Sequence, residues 1–287
     1  MQEAISLGNE LYQKLQQGAS KGEIIDLIKT KNPSLNVYST ENLRQQMFDG
    51  GDYDAFYQYH MRPDFEIIDK NLYLNFNNAN KDVLKRLTFA MDTAHEYTHV
   101  KQTETKDIEF LKKISGNDGE YACFLPAMGD FIFKIFDTQV KNDMVTNTFD
   151  FQDQLNTLRT GVIVPREKKI SEDILLKNNK IKNEKEFNDI INSTYNAAFI
   201  QIMQHILKHP EMGDEKFMNT LYRIASQEGG LEKLRDDLKQ FCANSAKKEK
   251  EAYTTESAVA KNVMQTNKSL NIDAFPIFYG MLENALK

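Results

Sequence analysis

The sequence predicts an α+β fold that is mostly helical, with a small β-hairpin or sheet near the start and an all-α C-terminal lobe. Three observations carry this expectation. Period-two alternation is clear in one place, where Leu72, Leu74 and Phe76 alternate with Tyr73 and Asn75. Helical spacing with caps and breakers dominates elsewhere. The 287 residues are 40% hydrophobic and 27% charged, an ordinary globular balance with enough apolar mass for a substantial core.

Taken in order, Ile5, Leu11, Tyr12 and Leu15 mark a first helix from Gln2 to Gln17 that ends at Gly18. Ser20 to Glu23 matches a capping box ahead of Ile24, Ile25, Leu27 and Ile28, and Asn32-Pro33 stops this second helix. A shorter helix is expected from Ser39 or Thr40 to Gly50-Gly51. Phe65 to Asp69 and Leu72 to Phe76 read as two strands around a tight turn at Lys70-Asn71. Asn80 then serves as the expected N-cap of a long helix, Lys81 to Gln102. A short segment with Ile108, Leu111 and Ile114 and a turn over Ser115 to Gly119 lead to an apolar helix from Glu120, kinked near Pro126. Gly161 to Pro165 reads as a short strand or extended loop, and Lys168 to Lys185 as a solvated connection. Helices are expected over Glu184–Lys208, Asp214–Ser226, Leu231–Ala243, Lys247–Met264 and Asp273–Leu286. Two lobes follow, 1–115 and 116–287, the second forming the far side of a cleft.

A net charge of −6 argues against a nucleic-acid surface. No apolar run reaches the length of a membrane span, and the first residues carry Glu3 where a signal peptide would carry a base. Only Cys123 and Cys242 are present, so a disulfide framework is not expected and a reducing compartment fits. Neither has a His nearby in sequence, and both read as small buried hydrophobes. The expectation is a cytosolic protein, a monomer, with no nucleic-acid or membrane partner.

The chemistry sits in the long helix. His95-Glu96-Tyr97-Thr98-His99 is an H-E-x-x-H pattern, placing His95 and His99 at i and i+4 on one face with Glu96 beside them. Two neutral imidazoles suit Zn²⁺, and an adjacent carboxylate can serve as the base that takes a proton from water. Leu84, Leu87, Phe89, Ala90, Met91 and Ala94 make the preceding turns apolar, so the motif is expected in the core, where ionisable groups need partners. The remaining histidines are His60, His205 and His209; the last two form an i, i+4 pair without an adjacent acid, ended by Pro210, and read as surface or packing residues.

A catalytic zinc site needs a third protein ligand. Gln102 and Thr105 stand where a later Gly and His ligand would be, and no His follows for a hundred residues, so a carboxylate is expected: Glu104, Glu109, Glu120, Glu249 or Glu251. The motif followed by Ser115-Gly-Asn-Asp-Gly-Glu120 resembles the gluzincin class of zinc peptidases, and Cys123 supplies the small residue expected after the ligand glutamate. The resemblance covers roughly Phe65 to Phe136. It implies a zincin-like catalytic core with Zn²⁺ on His95, His99 and Glu120, and Glu96 as general base. It departs from the family at Phe124, where an acid commonly supports the site, leaving Asp118 or Asp130 to do so. Glu249 and Glu251, in Lys248-Glu-Lys-Glu-Ala-Tyr253, stand as rivals to Glu120. The family also places a Tyr or His against the oxyanion, which Tyr222, Tyr253, His205 or His209 could supply.

The expected function is therefore a zinc-dependent endopeptidase acting on an intracellular protein. The acidic chain without a leader also resembles bacterial effector metalloproteases, which implies export without a classical signal peptide into a host cytosol and host actin as the protein substrate. The alternative is a zincin-fold module that binds or regulates without hydrolysis.

Overall fold

A computed structural model of the chain describes residues 1–40, 54–77, 79–129, 199–200, 203–204 and 206–266. The expected helix after Thr40, the strand at Gly161–Pro165, the connection at Lys168–Lys185, the apolar continuation to Phe136 and the helix from Asp273 lie outside these residues, as do His205 and Asp130. Among the described residues the protein is α+β and mostly helical, with one three-stranded sheet.

Helix α1 (Gln2–Gln16) buries Ala4, Leu7, Gly8, Leu11, Tyr12 and Leu15, one stripe at i, i+3, i+4 and i+7. Helix α2 (Lys21–Lys31) starts at the expected capping box, with Ser20 accepting from the Glu23 backbone and Glu23 Oε2 accepting from the Ser20 backbone at 2.8 Å. Strand β1 (Asn36–Ser39) follows directly after Leu35 and was not anticipated. Strand β2 (Ala55–Met61) covers the aromatic stretch before Arg62, and β3 (Ile67–Leu74) pairs with it antiparallel and with β1 parallel, in the order β1-β3-β2.

The strand signal is therefore real, but the expected turn at Lys70-Asn71 is not there: both residues are inside β3, and the hairpin turns at Arg62–Glu66. Phe65 adopts φ +65° and its N–H donates to Arg62 O at 2.9 Å. Lys70 and Asn71 are polar for tertiary reasons: Lys70 Nζ bonds Ser34 Oγ and Glu104 Oε1, and the Asn71 side chain bonds Asn36 and Asp69. Leu72 and Leu74, on the same face of the strand as Lys70, are fully buried in the core.

Helix α3 (Val83–Gln102) is the long motif helix, and its N-cap is Asp82 rather than Asn80, with Asp82 Oδ1 accepting from Lys85 N at 2.8 Å. A π-turn over Thr103–Asp107 carries the chain into α4 (Ile108–Ser115). Residues 119–129 form α5, Pro210–Met212 a 3₁₀ turn and Glu215–Ala225 helix α6, capped by Asp214. The expected helices Leu231–Ala243 and Lys247–Met264 fuse into α7 (Gly230–Thr266), since Asn244-Ser245-Ala246 contains neither glycine nor proline to break it. No helix among the described residues is long and apolar enough to cross a membrane.

Two compact units result, Met1–Leu111 with Lys247–Lys287, and Lys112–Ala246. The first contains nearly all of the expected N-terminal lobe, but it also takes the chain back from Lys247, so the end of α7 packs beside α3. The pairs Gln102–Glu251 and Thr98–Thr255 show that this part of α7 runs antiparallel to α3. Gly8 of α1 lies where α3 and α7 close in: a Cβ there would sit 2.6 Å from Val259 Cγ2 and 3.0 Å from Ala94 Cβ. Gly8→Val is expected to destabilise the protein by about 1–3 kcal/mol through overpacking, read as a lowered chemical-denaturation midpoint. An unchanged midpoint would mean that the three helices are not locked at this point.

Candidate metal centre

The site is assembled by two helices of one unit. His95 and His99 project from α3 at i and i+4, and Glu249 reaches them from α7. His95 Nε2 and His99 Nε2 are 3.1 Å apart, with Glu249 Oε2 at 3.2 Å from the first and Oε1 at 3.3 Å from the second. A tetrahedral ion with bonds of about 2.0–2.1 Å holds its ligand atoms about 3.3–3.4 Å from one another. The two nitrogens, and each nitrogen with its own carboxylate oxygen, are therefore near the spacing a small cation requires, and two imidazoles with a carboxylate are a donor set suited to Zn²⁺.

Both rings are held from behind. Glu256 Oε1 lies 2.6 Å from His95 Nδ1, off the ideal hydrogen-bond line, and Gln102 Oε1 lies 2.8 Å from His99 Nδ1. Acceptors at both Nδ1 atoms favour protons there and leave both Nε2 lone pairs facing each other. Without a cation or an added proton, that arrangement is repulsive. The histidine side chains are only 10% and 15% exposed, while Glu249 is 49% exposed, so the centre opens on the Glu249 side.

Glu96 sits beside the trio, and its Oε2 accepts the Tyr57 backbone N–H of β2 at 2.8 Å. Burial raises its pKa, and Glu249 adds to this against the opposing histidine charges. Behind His95, Asp92 accepts the Asp54 N–H at 3.0 Å and is pushed up to about 8, chiefly by burial and then by Glu256. Tyr253, one turn beyond Glu249, lays its ring edge against His95 with centroids 4.9 Å apart. Of the other described residues considered for the oxyanion, Tyr222 donates to Leu207 O, and His209 pairs with Glu211.

The metal ligands expected from sequence separate here. His95, His99 and Glu96 come together, and Glu249 joins them, as a rival to Glu120 in the sequence reading. Glu120 belongs to the other unit, half-exposed, with Lys216 Nζ 3.5 Å from Oε2. Phe124 is buried there against Tyr121 and Phe217, and Asp118 pairs with Arg223, so neither takes up the supporting role. Glu104 is engaged by Lys70 and Asn32, and Glu251 by Lys106 and Gln102. Cys123 is half-buried and forms no disulfide; the Cys242 side chain is outside the description. Glu256 and Gln102 were missed by sequence reasoning. The signal for Glu256 was available: Ala252, Thr255, Val259, Ala260 and Val263 form the buried stripe of α7, and an acid inside such a stripe needs a partner.

Without metal, protons hold this cluster together. Burial would lower His95 and His99, but the Glu249 carboxylate, joined at His95 by Glu256, outweighs it and raises both above the ordinary imidazole value. Burial would raise Glu249, and the two histidines instead hold it far below the usual carboxylate range. The raised histidines stabilise the fold fully below about pH 6.5, the unfolded value, and that contribution is lost as pH rises through their folded values. Glu249 contributes above its unfolded value and loses its contribution as pH falls through the depressed one. Metal binding has the opposite alkaline trend, because it needs deprotonated ligands. Thermal melts over about pH 6 to 9 are expected to diverge, the metal-free protein losing stability with rising pH while zinc protects it increasingly. Parallel curves would contradict the assignment of these groups to one proton-competed centre.

Comparison with protein-family models, with curated proteins and with solved structures returned no match to this chain.

Proposed function

We propose that the chain is a zinc-dependent endopeptidase with a zincin-like core in which His95, His99 and Glu249 hold the metal and Glu96 is the general base. The observation that carries the reading is the convergence of two imidazole nitrogens 3.1 Å apart with the Glu249 carboxylate, one oxygen 3.2 Å from His95 and the other 3.3 Å from His99, beside the Glu96 carboxylate on the same helix turn. A bound Zn²⁺ supplies Lewis acidity, polarising a carbonyl and acidifying water at its open position.

The chain's own residues supply the rest. The Tyr57 N–H fixes one oxygen of Glu96 and leaves the other to accept the proton of the attacking water. The raised pKa of Glu96 keeps that proton available for transfer to the leaving amine. In this reading Tyr253, whose ring edge meets His95, is the residue assigned to donate to the oxygen that gains charge. Glu256 and Gln102 keep the imidazoles aimed.

Terminus-mapping proteomics tests the reading: lysate treated with the protein is expected to gain new protein termini, lose them with a zinc chelator and regain them with one equivalent of Zn²⁺. Host actin, implied by the resemblance to effector metalloproteases, is assayed as a purified substrate alongside. Termini that persist after the metal is stripped would overturn the zinc-peptidase reading. A biological effect that persists without cleavage would favour the binding-module alternative.

A further inference from the structure

Gln102 is buried, 3% exposed, and its amide touches both halves of the centre. Nε2 donates to Lys248 O at 3.1 Å and to Glu251 Oε2 at 3.1 Å, while Oε1 faces His99 Nδ1 at 2.8 Å. The orientation of this amide is dictated by its surroundings. A backbone carbonyl and a carboxylate only accept, so the NH₂ must face α7 and the oxygen must face His99. His99 must then carry its proton on Nδ1, which directs the Nε2 lone pair toward His95 and Glu249. The same amide holds the backbone of Lys248, the residue before Glu249.

We propose that Gln102 is the positioning residue that couples the two ligand-bearing helices, setting the His99 tautomer and the approach of Glu249 with a single side chain. The inference rests on the metal centre proposed above. Two further contacts brace the same junction: Lys248 Nζ bonds Asp107 Oδ2 at 2.8 Å, and Lys106 Nζ reaches Glu251 at 3.1 Å. Neither touches a ligand ring. Glu256 of α7 faces the other ring, at His95 Nδ1, whereas Gln102 ties the α7 backbone beside Glu249 to the His99 imidazole.

The isosteric variant Gln102→Glu separates coupling from electrostatics. It retains an oxygen for His99 and adds a negative charge beside a cation site, so charge alone would tighten zinc binding. It also sets a carboxylate against Lys248 O and the Glu251 carboxylate, which removes both bonds to α7. Coupling therefore predicts weaker binding, by about 10–100-fold in a chelator-competition titration, as for loss of other groups behind metal ligands. The double variant Gln102→Glu with Glu251→Gln restores a donor–acceptor pair across the helices and is expected to recover most of the affinity, with Glu251→Gln alone as the reference. That recovery also guards against the single variant merely failing to fold. Unchanged or tighter zinc binding in Gln102→Glu, or no recovery in the double variant, would overturn the coupling role while leaving the metal centre standing. Absence of zinc binding in the unaltered protein would overturn both.

Discussion

Glu249→Gln is expected to strip the protein of its metal, while Glu120→Gln leaves about one zinc per chain. The argument is geometric. Glu249 places one carboxylate oxygen against each imidazole, at 3.2 and 3.3 Å, and it is the one carboxylate grouped with both rings among the described residues. Replacing its charge with an amide leaves two neutral ligands in a site that zinc ordinarily fills with three protein donors. A loss of at least about a hundredfold in affinity is expected, exceeding the effect of groups behind the ligands. Stability follows affinity: a protein saturated at about a thousand times its Kd gains about 4 kcal/mol from the ligand, and the variant loses most of that gain at the same zinc concentration. Metal analysis after gel filtration and thermal melts with added zinc check both parts. Retention of zinc by the Glu249 variant together with its loss by the Glu120 variant would return the third ligand to the position implied by family resemblance.

The difference between those two glutamates shows where the sequence was legible. A ligand pair on one helix is a local property: the i, i+4 spacing of His95 and His99 and the apolar turns before them define a site from a few consecutive residues. Helix caps are local too, and the Ser20–Glu23 box was read correctly. The third ligand is a long-range property. Which glutamate meets the pair depends on which helix returns to α3, and the spacing that drew attention to Glu120 says nothing of that return. The same limit displaced the hairpin turn. Lys70-Asn71 looks like a turn because both residues are polar, yet their partners Glu104, Ser34 and Asn36 come from elsewhere in the unit. Pro63-Asp64 carried the better local signal, since proline presets φ and aspartate accepts from the backbone two residues on, as Asp64 Oδ1 does from Glu66 N at 3.0 Å.

Glu96→Gln is expected to keep the metal and lose the chemistry. Glu96 is not one of the three grouped donors, and its side chain can be replaced by an amide of nearly equal shape without touching His95, His99 or Glu249. The Gln oxygen can still accept the Tyr57 N–H, so the side chain keeps its anchor on β2. What disappears is the ability to accept a proton from water and deliver it to the leaving amine. A positioned base of this kind contributes about 10²–10⁴-fold, so kcat on a cleaved substrate is expected to fall by that factor with KM little changed. Zinc content measured on the same preparation separates this result from simple metal loss. A fall in KM-corrected activity that tracks zinc content would mean that Glu96 supports the centre structurally. An undiminished kcat with full zinc would remove Glu96 from the mechanism and leave the Tyr57-anchored carboxylate as a packing group beside the metal.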